Sequence, residues 1–210
     1  MTGPTHKQYS ITFAFIVAMI LYNKGLSSIN YYLSLPIILQ TAKYGARFPD
    51  FDHHWDNIRD KTVPTKIINT LIRITGGKHR SWQTHSIDIM AVFILISCFL
   101  PEFLYVYGKI TEVNKEVLSI LMISFSSGWL SHTVADMMTS AGVRLTCFSN
   151  FKVKLVPKKI GKLRFNTGNE WEEFVYRCVR IINIVIGVIC VIYPLINSGY
   201  VYEIINKIIK

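Results

Sequence analysis

The chemistry open to this sequence rests mainly on six histidines and the aspartates near them: His6, His53, His54, His79, His85 and His132. His132 and Asp136 stand four apart within an apolar stretch, SHTVADMM. Residues four apart share one face of a helix. An imidazole and a carboxylate so placed can hold one divalent cation, or form a metal-bound histidine with its supporting carboxylate. Ionisable groups inside an apolar helix are costly and usually mark a function. The competing reading is a self-satisfied histidine–aspartate hydrogen bond that tunes packing.

A second cluster is PDFDHH, which places Asp50, Asp52, His53 and His54 within five residues. In an extended segment Asp50 and Asp52 would point to the same side. Two close carboxylates repel unless a cation sits between them or one is protonated. The competing reading is a solvated acidic turn before the next helix. A third cluster, GGKHRSWQTHS, holds His79, Arg80 and His85 with the hydroxyls of Thr84 and Ser86. Thr84 or Ser86 is expected to cap the helix that follows. Arg80 beside that helix start suits a phosphate group, although a plain topological charge explains an arginine there equally well. His6 gains interest only from the company of the other histidines.

The elements that must position these groups are set by composition. Half of the 210 residues are apolar, 17% are charged and the mean hydropathy is +0.32. Soluble domains carry about 25% charged residues, so the balance favours lipid. Uncharged runs suit helices near 9–23, 28–45, 86–107, 116–138 and 178–200. The second contains Pro36, and the third contains Pro101 and Glu102. The expected fold is all-α, a polytopic membrane protein of four to five transmembrane helices forming a single integral membrane domain over residues 1–210. A helix around Thr65–Ile74 is expected to lie on the membrane, and a small cytoplasmic β-hairpin is expected within 147–166. No cleavage site follows residues 8–23, so they read as a retained first helix. Cys98, Cys147, Cys178 and Cys190 show no CxxC spacing, which excludes a zinc ribbon or a disulfide scaffold.

Five spans in that order place 18 of the 23 Lys and Arg on one side. The positive-inside rule makes that side cytoplasmic. Most of the net charge of +10 is therefore a topology signal, and nucleic acid is not needed to explain it. The histidines gather on the same side, with His132 near the cytoplasmic end of its span. Charge and histidine placement are separate features of the sequence that select one face.

Taken together, TH near the start, PDFDH, HRSWQTHS, SHTVADMMTSAGV and the later TGNEWE resemble the YdjM-type family. The resemblance implies a membrane-bound metal-dependent hydrolase, of a family also described as LexA-binding, inner-membrane-associated proteins. The resemblance covers most of the chain, and Glu172 matches a family glutamate. Ser81 stands where the family usually has glycine, and Ser140 where proline often follows Thr139; neither replaces a candidate ligand. The family is distantly similar to zinc-dependent phospholipase C and single-strand nucleases, and that likeness implies a phosphoester substrate.

The expected function is thus a membrane-bound metal-dependent hydrolase in the inner or plasma membrane, with its site toward the cytoplasm. The ligand candidates are His6, Asp50, Asp52, His79, His85, His132 and Asp136, with His53 next. So many ligands suit two ions better than one, and two cations roughly 4 Å apart can activate water against a phosphoryl group. Zinc fits imidazole and carboxylate ligands best, with manganese or iron as alternatives. Asp52 is the expected general base, and Arg80 is expected to hold the anionic group of a small-molecule or lipid-linked phosphoester. Two other classes stay open. One is a transporter or metal sensor using the same ligands without hydrolysis. The other is a membrane-anchored interaction protein using the basic segment 144–166, with Lys152, Lys154, Lys158 and Lys159.

Overall fold

The computed structural model describes residues 3–58, 61–78, 80–156 and 168–199. Five long helices dominate these residues: α1 (Gly3–Asn23), α2 (Ser28–Arg47), α5 (Ile87–Val106), α6 (Glu112–Met137) and α7 (Glu170–Asn197). Two shorter helices, α3 (Val63–Ile74) and α4 (Trp82–His85), fill the long α2–α5 connection with two 3-10 turns, Pro49–Asp52 and Trp55–Asn57. Helix starts follow ordinary capping chemistry. Ser27, Thr62, Thr111 and Asn169 each accept a backbone N–H of the first turn. Pro36 and Pro101 lie within α2 and α5 without ending them.

Helices α5, α6 and α7 are long and apolar enough to cross a membrane. Among the described residues no other helix reaches that apolarity. The expectation of four to five spans is therefore supported for three. Helices α1 and α2 form as expected, with 21 and 20 residues, but carry more polar side chains. Their place in the packing accounts for this. Helix α6 packs against α1, α2 and α5, and α7 packs on α1, so α1 and α2 meet protein over much of their surface. By contrast α5 and α7 turn large apolar side chains outward, among them Leu95, Phe99, Ile184 and Val188.

The α2–α6 seam is made of small residues. A Cβ on Gly128 would collide with the Ala42 carbonyl, and one on Gly45 with the Phe125 carbonyl. Backbones approach this closely only where side chains are absent or small. Hydroxyl and amide groups tie the remaining pairs. Ser97 and Ser126 share a 2.7 Å hydrogen bond between α5 and α6. The Asn183 amide donates to the Gln8 carbonyl at 2.9 Å between α7 and α1.

The hairpin differs from the expected one. Strands β1 (Val143–Arg144) and β2 (Lys152–Val153) pair antiparallel, with Val143 opposite Val153 and Arg144 opposite Lys152. Residues 145–151 form the turn, closed by Leu145 N–H donating to the Phe151 carbonyl at 3.0 Å. The pairing thus begins before residue 147, because the polar Ser149–Asn150 pair supplies the reversal. The expected second limb, including Lys158 and Lys159, lies outside the described residues. A bridge between Ser86 and Arg144, and the Cys147 N–H donating to Asp88 at 2.8 Å, fasten the hairpin to the start of α5.

All five long helices bring an end to one pole. The start of α1 meets the end of α6 through His6 and Asp136. The turn following α2 meets the end of α6 through Asp50 and His132. His85 stands two residues before α5, and the start of α7 shares a small pocket with Pro4 and Thr5.

Candidate metal centre

Asp136, in the last turn of α6, is the hub of that pole. Its Oδ1 lies 3.5 Å from His6 Nε2 and 3.7 Å from Arg80 Nη2. Its Oδ2 lies 3.6 Å from both His85 Nε2 and His132 Nε2. Asp50 Oδ1 completes the group at 3.9 Å from His132 Nε2 and 3.7 Å from His53 Nε2. His6, His85, His132 and Asp136 are buried, while Asp50 and Arg80 are partly open.

Local structure explains each placement. Pro4 occupies the first turn of α1, where the missing N–H costs nothing, so the helix begins at Gly3 and already includes His6. Pro49 starts the 3-10 turn after α2. That turn corrects the expectation of an extended segment: in a three-residue turn side chains two apart diverge. Asp50 accordingly faces His132, while Asp52 faces His85. Arg80 has φ 59, the left-handed region, at a cost of about 1–2 kcal/mol for a non-glycine residue. That backbone directs its guanidinium toward Asp136. Strain of this kind persists where surrounding contacts hold it and gathers at functional sites.

The imidazoles are oriented from behind. His132 Nδ1 lies 2.7 Å from the Ala46 carbonyl, which can only accept, so this nitrogen carries the proton. For a neutral ring the Nε2 lone pair then faces the carboxylates of Asp136 and Asp50. Nε2 is buried and has no hydrogen-bond partner among the described residues. His6 stacks on His132, with centroids 3.8 Å apart and planes at 7°, and two positive rings so placed would repel. His85 Nδ1 lies 3.0 Å from Asp52 Oδ2, which also accepts from Thr84 Oγ1 at 2.8 Å and from Ser81 N–H at 3.2 Å. The Trp129 indole donates to the Thr84 carbonyl at 3.0 Å.

Two sets of groups are close enough to hold an ion: His6, His132 and Asp136, and Asp50, His85 and His132. Ligand atoms about 2.0–2.2 Å from a tetrahedral ion lie about 3.3–3.6 Å apart. The observed 3.5–3.9 Å separations are close to that spacing. The residues therefore fit a divalent cation by donor type, by spacing and by the direction of the His132 lone pair.

Of the sequence candidates, His6, Asp50, His85, His132, Asp136 and Arg80 converge, and His53 joins through Asp50. Asp52 stands behind His85, away from the Asp136 cluster. His79 lies outside the described residues. Thr84 was an expected cap but bonds Asp52, whereas Ser86 does occupy the N-cap position of α5, with its hydroxyl donating to the Trp82 carbonyl and making no cap bond to the first turn. Glu172 accepts from Gly168 N–H at 2.8 Å, closing the start of α7 together with Asn169. The Ala46 carbonyl and the cations Lys7, Lys43 and Arg47 were not singled out by residue type. The last three line a cavity of about 400 Å³ beside His6, Asp50 and His53. Among the described residues, Lys7 and Lys43 have no acidic partner within 4.0 Å.

Asp52→Asn is expected to weaken metal affinity roughly 10–100-fold, the usual effect of losing a carboxylate behind a ligating histidine. Competition with a calibrated chelator measures it, and an unchanged affinity would remove Asp52 from this role.

Compared with known families, residues 1–203 match the YdjM inner membrane protein family, and the chain belongs to it. No curated protein and no solved structure matches the chain.

Proposed function

We propose that this YdjM-family chain is a membrane-bound metal-dependent hydrolase of phosphoesters. The observation that carries the reading is the His132 ring. Its Nδ1 is held by a carbonyl, and its Nε2 is aimed without a hydrogen-bond partner among the described residues at two carboxylates. Lone pairs and carboxylate oxygens converging in a buried space repel unless a cation lies among them or one of the groups is protonated, and this donor set suits the cation. His6, Asp50, His85, His132 and Asp136 would hold it. Zinc suits these donors, with manganese and iron as alternatives. A bound ion supplies the charge that makes water nucleophilic near neutral pH and draws electron density from a phosphoryl oxygen.

The remaining roles fall to this chain's own groups. The cavity beside the site is open to a charged headgroup, and Lys7, Lys43 and Arg47 favour a phosphate-bearing one. Arg80, partly exposed beside Asp136, is placed to steady a phosphoryl oxygen. Asp50 faces the cavity and, with His53, is better placed than Asp52 to take a proton from the attacking water. Water attacks phosphorus as Asp50 takes its proton, the ester P–O bond breaks, and the leaving oxygen takes that proton up. Asp52 is then a positioning residue for His85. A carrier would place its ligands near the bilayer midplane, and this cluster lies at one end of the helices.

The same reading makes α1 and α2 spans alongside α5, α6 and α7. They have similar lengths, and all five helices end at the same pole. The basic residues of that pole support a cytoplasmic orientation for it.

Metal content of the detergent-purified protein, read by mass spectrometry beside turnover of a generic phosphodiester, tests the proposal. The expected result is one to two divalent ions per chain, turnover abolished by a chelator and restored by zinc or manganese. A protein that stays metal-free when supplied with these ions would overturn it. A loaded protein with no turnover on phosphomonoesters, phosphodiesters or phospholipids would leave a metal site without the hydrolase.

A further inference from the structure

Helix α3 lies outside the long helices and has two unlike faces. Val63, Ile67, Leu71 and Ile74 are each more than half exposed. At 100° per residue they fall within a stripe of about 80°. Thr65, Asn69 and Ile72 are buried on the opposite side. Such a stripe of large apolar side chains in water is unfavourable, and no other element among the described residues covers it.

The buried side holds the turn that carries Asp50 and His53. The Asn69 amide donates to the Phe51 carbonyl at 2.6 Å and to the His53 carbonyl at 2.9 Å. Arg73 Nη2 donates to the Asp52 carbonyl at 3.0 Å. Three consecutive carbonyls at the end of the turn that presents Asp50, Asp52 and His53 are therefore gripped by α3.

We propose that α3 is an interfacial helix whose apolar stripe rests in the lipid surface, so that lipid contact steadies the Asp50–His53 turn from behind. Three observations select lipid as the occupant. The turn that α3 grips lies at the pole where the membrane-grade helices end. The chain then enters α5, a membrane-grade helix, only a dozen residues after α3. The segment from Lys61 to Ile74, which is α3 and its lead-in, contains Lys61, Lys66 and Arg73 and no Asp or Glu, which suits anionic phospholipid headgroups. The lipid contact itself does not depend on a metal being bound. Its bearing on catalysis rests on the hydrolase reading.

The test uses the full chain in nanodiscs of phosphatidylcholine and phosphatidylglycerol. A photoreactive benzophenone residue replaces Ile67 or Leu71, with Ile184 on α7 as the lipid-facing control and Lys78 as the aqueous control. Intact mass after illumination is expected to show phospholipid adducts at 67 and 71 as at 184, and none at 78. Cross-linking to a second copy, or no adduct at 67 and 71 while 184 reacts, would overturn the proposal. The second arm follows amide exchange in Ile67→Ser with Leu71→Ser. Exchange over residues 49–57 is expected to rise several-fold, while α6 stays protected. Unchanged exchange there would remove the link between lipid and turn. Neither readout needs metal, so its failure is distinct from the failure of the hydrolase reading, which metal content reports separately.

Discussion

Asp136→Asn is expected to abolish metal binding at the candidate centre while leaving the helices in place. The carboxylate has three imidazoles and one guanidinium within 3.7 Å, and an amide of the same shape removes the charge that draws a cation there. The loss of affinity should exceed the roughly 10–100-fold that removal of an outer partner causes. The fold should survive, because the Ala46–His132 bond and the small-residue seam do not depend on this group. Thermal unfolding separates the two effects. Ligand at about 100 times its dissociation constant raises stability by about 2.7 kcal/mol, so zinc should raise the Tm of the wild type and not that of the variant. Equal upward shifts in both proteins would mean that zinc binds elsewhere.

The second large effect is expected at a residue with no chemistry. Gly128→Val should cost stability at or above the usual 1–3 kcal/mol or so of overpacking. The atoms it would meet are the Ala42 carbonyl and Ala46 nitrogen, backbone that cannot swing aside as a side chain can. Helices α2 and α6 would have to separate. These helices bring Asp50 to one side of the cluster and His132 and Asp136 to the other. Both unfolding temperature in detergent and metal loading should fall. Gly3→Ala is the control, since a Cβ there meets nothing within 4 Å. A Gly128→Val protein with the Tm and loading of the wild type would contradict the close α2–α6 approach.

The two variants separate what was legible along the chain from what was not. His132 and Asp136 could be paired from sequence because helical periodicity alone puts residues four apart on one face. The long helices were legible for a similar reason: uncharged runs of this length fold as helices whatever their neighbours. Charge asymmetry and histidine placement pointed to one pole, and His6, His85 and His132 do meet there although 47 positions separate the last two.

Other features were decided only by the tertiary structure. Asp50 and Asp52 read as one pair in sequence, but the 3-10 turn begun by Pro49 sends them to different partners, and α3 fixes that turn through Asn69 and Arg73. A turn of four residues has too little periodicity of its own to reveal this. The tautomer of His132 depends on the Ala46 carbonyl, a backbone atom 86 positions away that no residue type advertises. Lys7, Lys43 and Arg47 read as topology charges until the fold arranged them around one cavity. The sequence by itself determined the helices, the membrane character and the inventory of ligand types, since these follow from local composition and periodicity. The fold decided which of those groups face one another, because that depends on close packing at glycine and alanine, and on backbone partners remote in the chain.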